Sequence, residues 1–209
     1  MTGVRRHVTD VTLFFVTDNV SWLLVLLQLP TDPSRHRVAV WRELRKGGAV
    51  PVSQGAWAIP DAPAFHPSLE RAEELAHAGG GTFAVIEATP RSEAGLALIR
   101  DAFVSARLDE WNEFEADCGK YEAEIDNEVR KKKFTFGELE EEEQSLDRLR
   151  RWHRDLKKRD ILALPEAEAA ERRLRHCEDV LADYAEMVYE TMRGNSPASA
   201  GTTDPDSAG

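Results

Sequence analysis

The sequence predicts an α+β protein: a small sheet-and-helix domain over residues 21–90, then long helices over residues 91–194. Three observations carry this. Short apolar runs of strand length are concentrated in the first part of the chain, and glycine pairs close helical stretches there, at Gly47-Gly48 and Gly79-Gly80. From residue 91 on, apolar residues recur at alternating three- and four-residue steps, the spacing of a helix with one buried seam.

Trp22–Leu29, in "WLLVLLQLP", is a continuous apolar run, the pattern of a strand buried on both faces. Asp32-Pro33 then predicts an N-cap followed by proline at the first helical position. That helix runs to Lys46 and ends at the glycine pair, where a left-handed residue costs little. Ala49–Val52 and Ala56–Ile59 form hairpin arms around a Ser-Gln-Gly turn, with Gly55 free to take positive φ. A second helix opens at Pro67 in "PSLERAEELAHAG", and "TFAVIEA", Thr82–Ala88, is the last strand. The order βαββαβ is that of the ferredoxin-like sandwich, in which two helices cover one face of a four-stranded antiparallel sheet.

Three helices follow as a long antiparallel hairpin or three-helix extension, coiled-coil-like in its seams. The first carries Leu96, Ile99, Phe103, Trp111, Phe114, Cys118, Tyr121, Ile125 and Val129 on one stripe. Unbroken, it is about 60 Å long at the standard rise, so its seam needs a partner, either the next two helices or a second subunit. Leu139, Leu146, Leu149, Trp152 and Leu156 mark the second helix. Ala170, Leu174, Cys177, Leu181, Tyr184 and Val188 mark the third, which starts after Pro165. Residues 1–20 are a leader that reads either as a strand ("VTLFFV") or as sequence upstream of a true start near Val20. Residues 195–209 are small and polar, the composition of a disordered tail.

A net charge of −11 with 31% charged residues excludes strong global attraction to nucleic acid or anionic membrane, although local patches remain able to bind either. Two cysteines cannot make a disulfide framework, which fits a reducing cytoplasm. The apolar run at Trp22 is too short to span a bilayer, and no small-residue cleavage site follows it. The expectation is a soluble cytoplasmic protein with no membrane partner.

"RKKK" at Arg130–Lys133 and "RRWHRDLKKR" at Arg150–Arg159 each end a helix, and acidic runs open the helices that follow. Each sign sits where the helix dipole favours it, so a solvated, self-paired face is preferred to a nucleic-acid surface. The first helix differs. On a 100° wheel Arg35, Arg42 and Lys46 share a narrow stripe, with Val40, Trp41 and Leu44 opposite. That stripe is a candidate contact for phosphate or another oxyanion, the plainer alternative being an ordinary exposed face. Arg37 projects toward the apolar side near Trp41, either snorkelling or holding a partner.

The six histidines have no metal-ligand spacing, and Cys118 and Cys177 read as small buried hydrophobes in the seams. The Glu-x-x-His pair of a di-iron bundle is missing, as are phosphate loops, nucleophile elbows and catalytic triads. No catalytic residue, cofactor or metal is predicted, and the expectation is a protein that is not an enzyme.

"WLLVLLQLP", "RVAVWRELRKGGAVPVSQGAWAIPD" and "GGGTFAVIEA", in this order and followed by a helical extension with an Arg-rich segment leading to "RDIL", resemble the N-terminal domain of the chromate-resistance protein ChrB family. The resemblance covers roughly residues 21–190. The helix–hairpin piece alone is also similar to the middle domain of the phenylacetate repressor PaaX. The ChrB resemblance implies a bacterial cytoplasmic protein of chromate resistance that senses chromate and regulates transcription of an efflux transporter. Full-length members of that family carry a further C-terminal domain where this sequence has the expected disordered tail; if sensing or specific DNA binding resides in that domain, the expectation is a stand-alone module that works with a partner. The resemblance brings no catalytic motif to these positions.

Three functions follow as expectations. The first is a regulator responding to an oxyanion such as chromate or sulfate, with DNA as a partner and a homodimer formed through the sheet or the helical extension. The second is an interaction or dimerisation scaffold without a small ligand. The third, held lowest, is a ferredoxin-like nuclease, for which Asp32 at the end of the first strand is the sole candidate metal ligand.

Overall fold

A computed structural model of the chain describes residues 20–194. The leader reading, apart from Val20, and the disordered-tail reading fall outside these residues. Two compact units emerge. The first holds the residues up to Phe114 together with Trp152–Glu171; the second holds Glu115–Arg151 and the residues from Arg172 on. The chain passes between them inside helices.

The order of elements is β1 (Trp22–Gln28), α1 (Ser34–Lys46), β2 (Val50–Ser53), β3 (Ala56–Pro60), α2 (His66–Ala78), β4 (Thr82–Ala88), α3 (Glu93–Lys131), α4 (Phe136–Arg159) and α5 (Pro165–Gly194). The protein is therefore α+β and mostly helical, with one four-stranded sheet in the order β2-β3-β1-β4. All neighbouring strands are antiparallel. β1 lies at the centre, with Val25 opposite Trp57 on one side and Val85 on the other.

In the first unit, alternation puts Leu23, Val25, Trp57 and Ile59 on one face of the sheet, and all four are buried. α1 supplies Val40 and Leu44 to this core, and α2 supplies Leu69, Ala72 and Ala76. The two helices approach closely at Gly47, where a Cβ would fall 2.3 Å from that of Ser68. The other face of the sheet is covered at one end only. There Trp22 meets Phe103 of α3 edge-on at 5.5 Å, and Phe103 meets Phe65 at 6.4 Å.

Two local expectations are corrected. β1 is not buried on both faces along its length. Leu26 is 43% exposed, and so is its neighbourhood on β4, where Ile86 is 48% exposed, because nothing among the described residues covers that end. Nor does Asp32 cap α1. Pro33 occupies the N-cap position with no side-chain cap hydrogen bond, and Asp32 is exposed.

In the second unit, α3 contributes buried Cys118, Tyr121 and Ile125, α4 contributes Leu139, Leu146 and Leu149, and α5 contributes Leu174, Cys177, Tyr184 and Val188. Tyr184 donates to the Lys133 carbonyl at 2.6 Å, fixing the α3–α4 turn to α5. The opposed charges at this turn do pair: Lys133 lies 3.0 Å from Glu128 and 3.1 Å from Glu138. Along the bundle, Arg150 reaches Glu178 at 2.8 Å.

Candidate functional site

Among the described residues, α1 is the one strongly cationic element of an acidic chain. In thirteen residues, "SRHRVAVWRELRK", it carries Arg35, Arg37, Arg42, Arg45 and Lys46 against a single Glu43. Val40 and Leu44, one turn apart, anchor the helix in the core, which leaves the other faces to solvent. Arg35, Arg42 and Lys46 are exposed, and no ion pair or hydrogen bond engages their charged groups among the described residues. The structure thus brings the three stripe residues to one open helix face.

Arg37 stands apart from this stripe. It lines a cleft of about 480 Å³ with Trp41 of α1, Leu27, Gln28 and Leu29 at the end of β1, Thr31, Trp57 of β3, and the Gln54-Gly55 turn. Trp57 forms the buried wall. Trp41, expected on the apolar side of the helix with Val40 and Leu44, is instead 47% exposed. The Arg45 guanidinium lies over its ring at 5.0 Å, a cation–π contact that holds the indole at the helix surface. The polar lining of Gln28, Thr31, Arg37 and Gln54 can donate hydrogen bonds and attract negative charge; it offers no general base. The hairpin turn that closes the cleft depends on Gly55, whose φ is +75° and whose Cβ would fall 2.8 Å from the Leu27 carbonyl.

A second cleft, about 820 Å³, lies at the other end of β1 and is lined by Asp61, Glu87 and Glu93 as well as Arg91. Its excess of carboxylates opposes anion binding, so the two ends of the sheet differ in sign.

What holds α1 in place was not expected from the sequence. The apolar stripe of α3 skips from Phe103 to Trp111, and the intervening seam position is Arg107, only 2% exposed. Its Nη1 donates to the Gly48 carbonyl at 3.1 Å and its Nη2 to Glu110 Oε1 at 2.9 Å. Arg159, at the end of α4, donates to the Lys46 carbonyl at 2.7 Å and lies 3.4 Å from Glu110. Two guanidinium groups therefore neutralise the carbonyl end of α1, the negative end of its dipole. Burial pulls the Arg107 guanidinium below its ordinary pKa, and the Glu110 charge works against that shift.

Asp160 completes the cluster. It accepts from Trp111 Nε1 at 3.3 Å and from the Leu164 backbone N–H at 3.1 Å, next to the start of α5. Burial raises its carboxyl pKa, and the hydrogen bonds from Leu164 and Trp111 oppose the rise. The spacing of four from both Phe103 and Trp111 was the available signal for Arg107.

Among the described residues no group of three or more His, Cys, Asp or Glu side chains is placed to hold a metal ion, and no helix is long and apolar enough to cross a membrane. The family model described as "Protein ChrB, N-terminal" matches residues 37–195. No curated protein and no solved structure matches the chain.

Proposed function

The chain belongs to the ChrB N-terminal family of chromate-resistance proteins, and on that premise we propose that it is a cytoplasmic regulatory protein, binding rather than catalytic, whose α1 helix meets anions. We read its βαββαβ order, with strands arranged β2-β3-β1-β4, as a ferredoxin-like sandwich extended by coiled-coil-like helices. The observation that carries the functional reading is the unpaired cationic face of α1 on a chain of net charge −11.

Geometry separates two anions. Arg35, Arg42 and Lys46 are strung along roughly 16 Å of helix, a spacing suited to successive backbone phosphates of DNA and poorly suited to convergence on one small ion. Arg37, beside Trp41, Trp57 and two glutamines, belongs to a concave site and suits a compact oxyanion such as chromate or sulfate. In this account the stripe provides sequence-independent affinity and the cleft provides the response to the effector.

The test has two arms. Retardation of duplex DNA at low salt, lost in an Arg35→Gln/Arg42→Gln/Lys46→Gln variant, supports the phosphate contact. A rise in melting temperature with millimolar chromate or sulfate, lost in Arg37→Gln, supports the oxyanion contact; an unchanged midpoint removes it. The scaffold reading keeps one specific observation of its own. β4 is an edge strand with Val85 and Ile86 both more than 40% exposed, the feature by which a second copy would add to the sheet. A strictly monomeric species by light scattering at high concentration rejects it.

A further inference from the structure

The chain contains two cysteines, 59 residues apart, and the fold brings them together. Cys118 on α3 and Cys177 on α5 are each 0% exposed. Cys177 Sγ lies 3.8 Å from the Cys118 carbonyl oxygen, which sets the two side chains against one another between α3 and α5. Packing alone asks for a small apolar side chain at each position, and alanine or valine would serve. A vicinal dithiol has chemistry that neither of those has.

The surroundings supply what such a pair needs. Cys177 Sγ is 3.6 Å from Glu122 Oε1, a proton acceptor one turn along α3 from Cys118. Glu122 in turn holds Arg173 at 2.6 Å, with Arg173 43% exposed and Glu122 16% exposed. The dithiol is therefore one side chain removed from solvent, although no sulfur surface is open. Gly119, in mid-helix beside Cys118, carries no side chain, and the site its Cβ would take is 3.6 Å from Arg173 Nη2. The neighbouring Cys177 thiol favours the thiolate of Cys118. Cys118 and burial together disfavour the thiolate of Cys177; with Cys177 facing Glu122 at 3.6 Å, Cys118 suits the attacking role and Cys177 the resolving one.

We propose that Cys118 and Cys177 are a redox-active dithiol, converted by a two-electron oxidant of the peroxide class into an intramolecular disulfide that ties α3 to α5. In the first step the Cys118 thiolate attacks one peroxide oxygen. The O–O bond breaks, hydroxide leaves and takes up a proton to become water, and Cys118 becomes a sulfenic acid. In the second step Cys177 gives its proton to Glu122, and its sulfur attacks the sulfenic sulfur of Cys118. The S–O bond breaks, and the leaving oxygen takes that proton as the second water. The two thiols have lost two electrons and two protons, and one peroxide has become two waters. Reduction by an external dithiol reverses the change.

The experiment treats the full chain with a small excess of hydrogen peroxide, then denatures it, alkylates it with iodoacetamide and measures intact mass. The expected result is loss of both alkylatable thiols together, a mass lower by two hydrogens, and one cross-linked peptide pair carrying Cys118 and Cys177, all restored by dithiothreitol. In Cys177→Ser, the same treatment leaves a Cys118 sulfenic acid that dimedone captures. In Cys118→Ser, Cys177 stays alkylatable. Two alkylatable thiols after peroxide, or disulfides that join two chains, would show buried structural thiols only and overturn the proposal. The wild-type mass measurement decides the matter even if either variant fails to fold.

Discussion

Arg107, in the middle of α3, donates a hydrogen bond to the carbonyl of Gly48 at 3.1 Å, across 59 residues of sequence. Together with the bond from Arg159 to Lys46, it fixes the carbonyl end of the helix whose other faces carry the cations. The cationic surface is therefore positioned by a buried charge network distinct from the exposed Arg35, Arg42 and Lys46 and from the Arg37 cleft.

Replacing Arg107 by Met removes the buried cation and the hydrogen bonds it donates to Glu110 and the Gly48 carbonyl. Glu110 keeps Arg159 at 3.4 Å, so the cost is chiefly that of the lost buried hydrogen bonds, about 1–3 kcal/mol. Urea unfolding followed by tryptophan fluorescence should show a loss of that size. Arg107→Lys should recover only part of it, since an ammonium cannot reach the carbonyl and the carboxylate as a planar fork.

Two glycines at positive φ should respond differently to alanine. Gly48 has φ +91°, and a Cβ there would lie 3.1 Å from Arg107 Nη1 and 3.2 Å from the Phe65 ring. Gly80 has φ +71° with nothing within 4 Å of the added Cβ. Gly80→Ala should cost about 1 kcal/mol, the backbone strain alone, whereas Gly48→Ala should cost about 2–3 kcal/mol because crowding adds to strain. Equal losses would mean that the Arg107 contact tolerates displacement.

In the second unit, Glu142 is 5% exposed, and its carboxyl is pushed up to about 7 from an ordinary 4.5, first by burial and then by Glu124, Glu128, Glu138 and Glu141. A carboxyl whose pKa is raised on folding adds stability below its unfolded pKa. It loses that contribution as pH rises through the folded value. The wild type should therefore lose on the order of 1–3 kcal/mol between about pH 4 and pH 8 relative to Glu142→Gln, in which this pH dependence is removed. Denaturant midpoints across that range test it, and parallel pH profiles for the two proteins would contradict it.

Much of the first unit was legible because its signals are local. Gly47-Gly48 stops α1, Gly55 makes the hairpin turn, and β4 runs from Thr82 to Ala88 as its composition implied. Helices α3 to α5 follow their seam spacing for the same reason. Arg107 was not legible, since a charged residue breaks an apolar pattern and its partners lie far away in sequence. Asp32 resembled a cap because Asp-Pro is a common helix start, yet the helix begins one residue later without it. Trp41 resembled core on a wheel, but it is held at the surface by Arg45. Of the four candidate cations, the wheel separated Arg37 from Arg35, Arg42 and Lys46, and the structure gives Arg37 its own cleft. The meeting of Cys118 with Cys177 depends on the register between two helices, which no local pattern encodes.

The measurement closest to the central claim is the salt dependence of duplex DNA binding. If Arg35, Arg42 and Lys46 each neutralise one phosphate, log K should fall against log salt concentration with a slope of about −3, and each Gln substitution should reduce that slope by about 1. The triple variant, with Val40 and Leu44 untouched, should keep its melting temperature and lose retardation. An undiminished slope in the folded triple variant would contradict the assignment of α1 as the anion-facing surface.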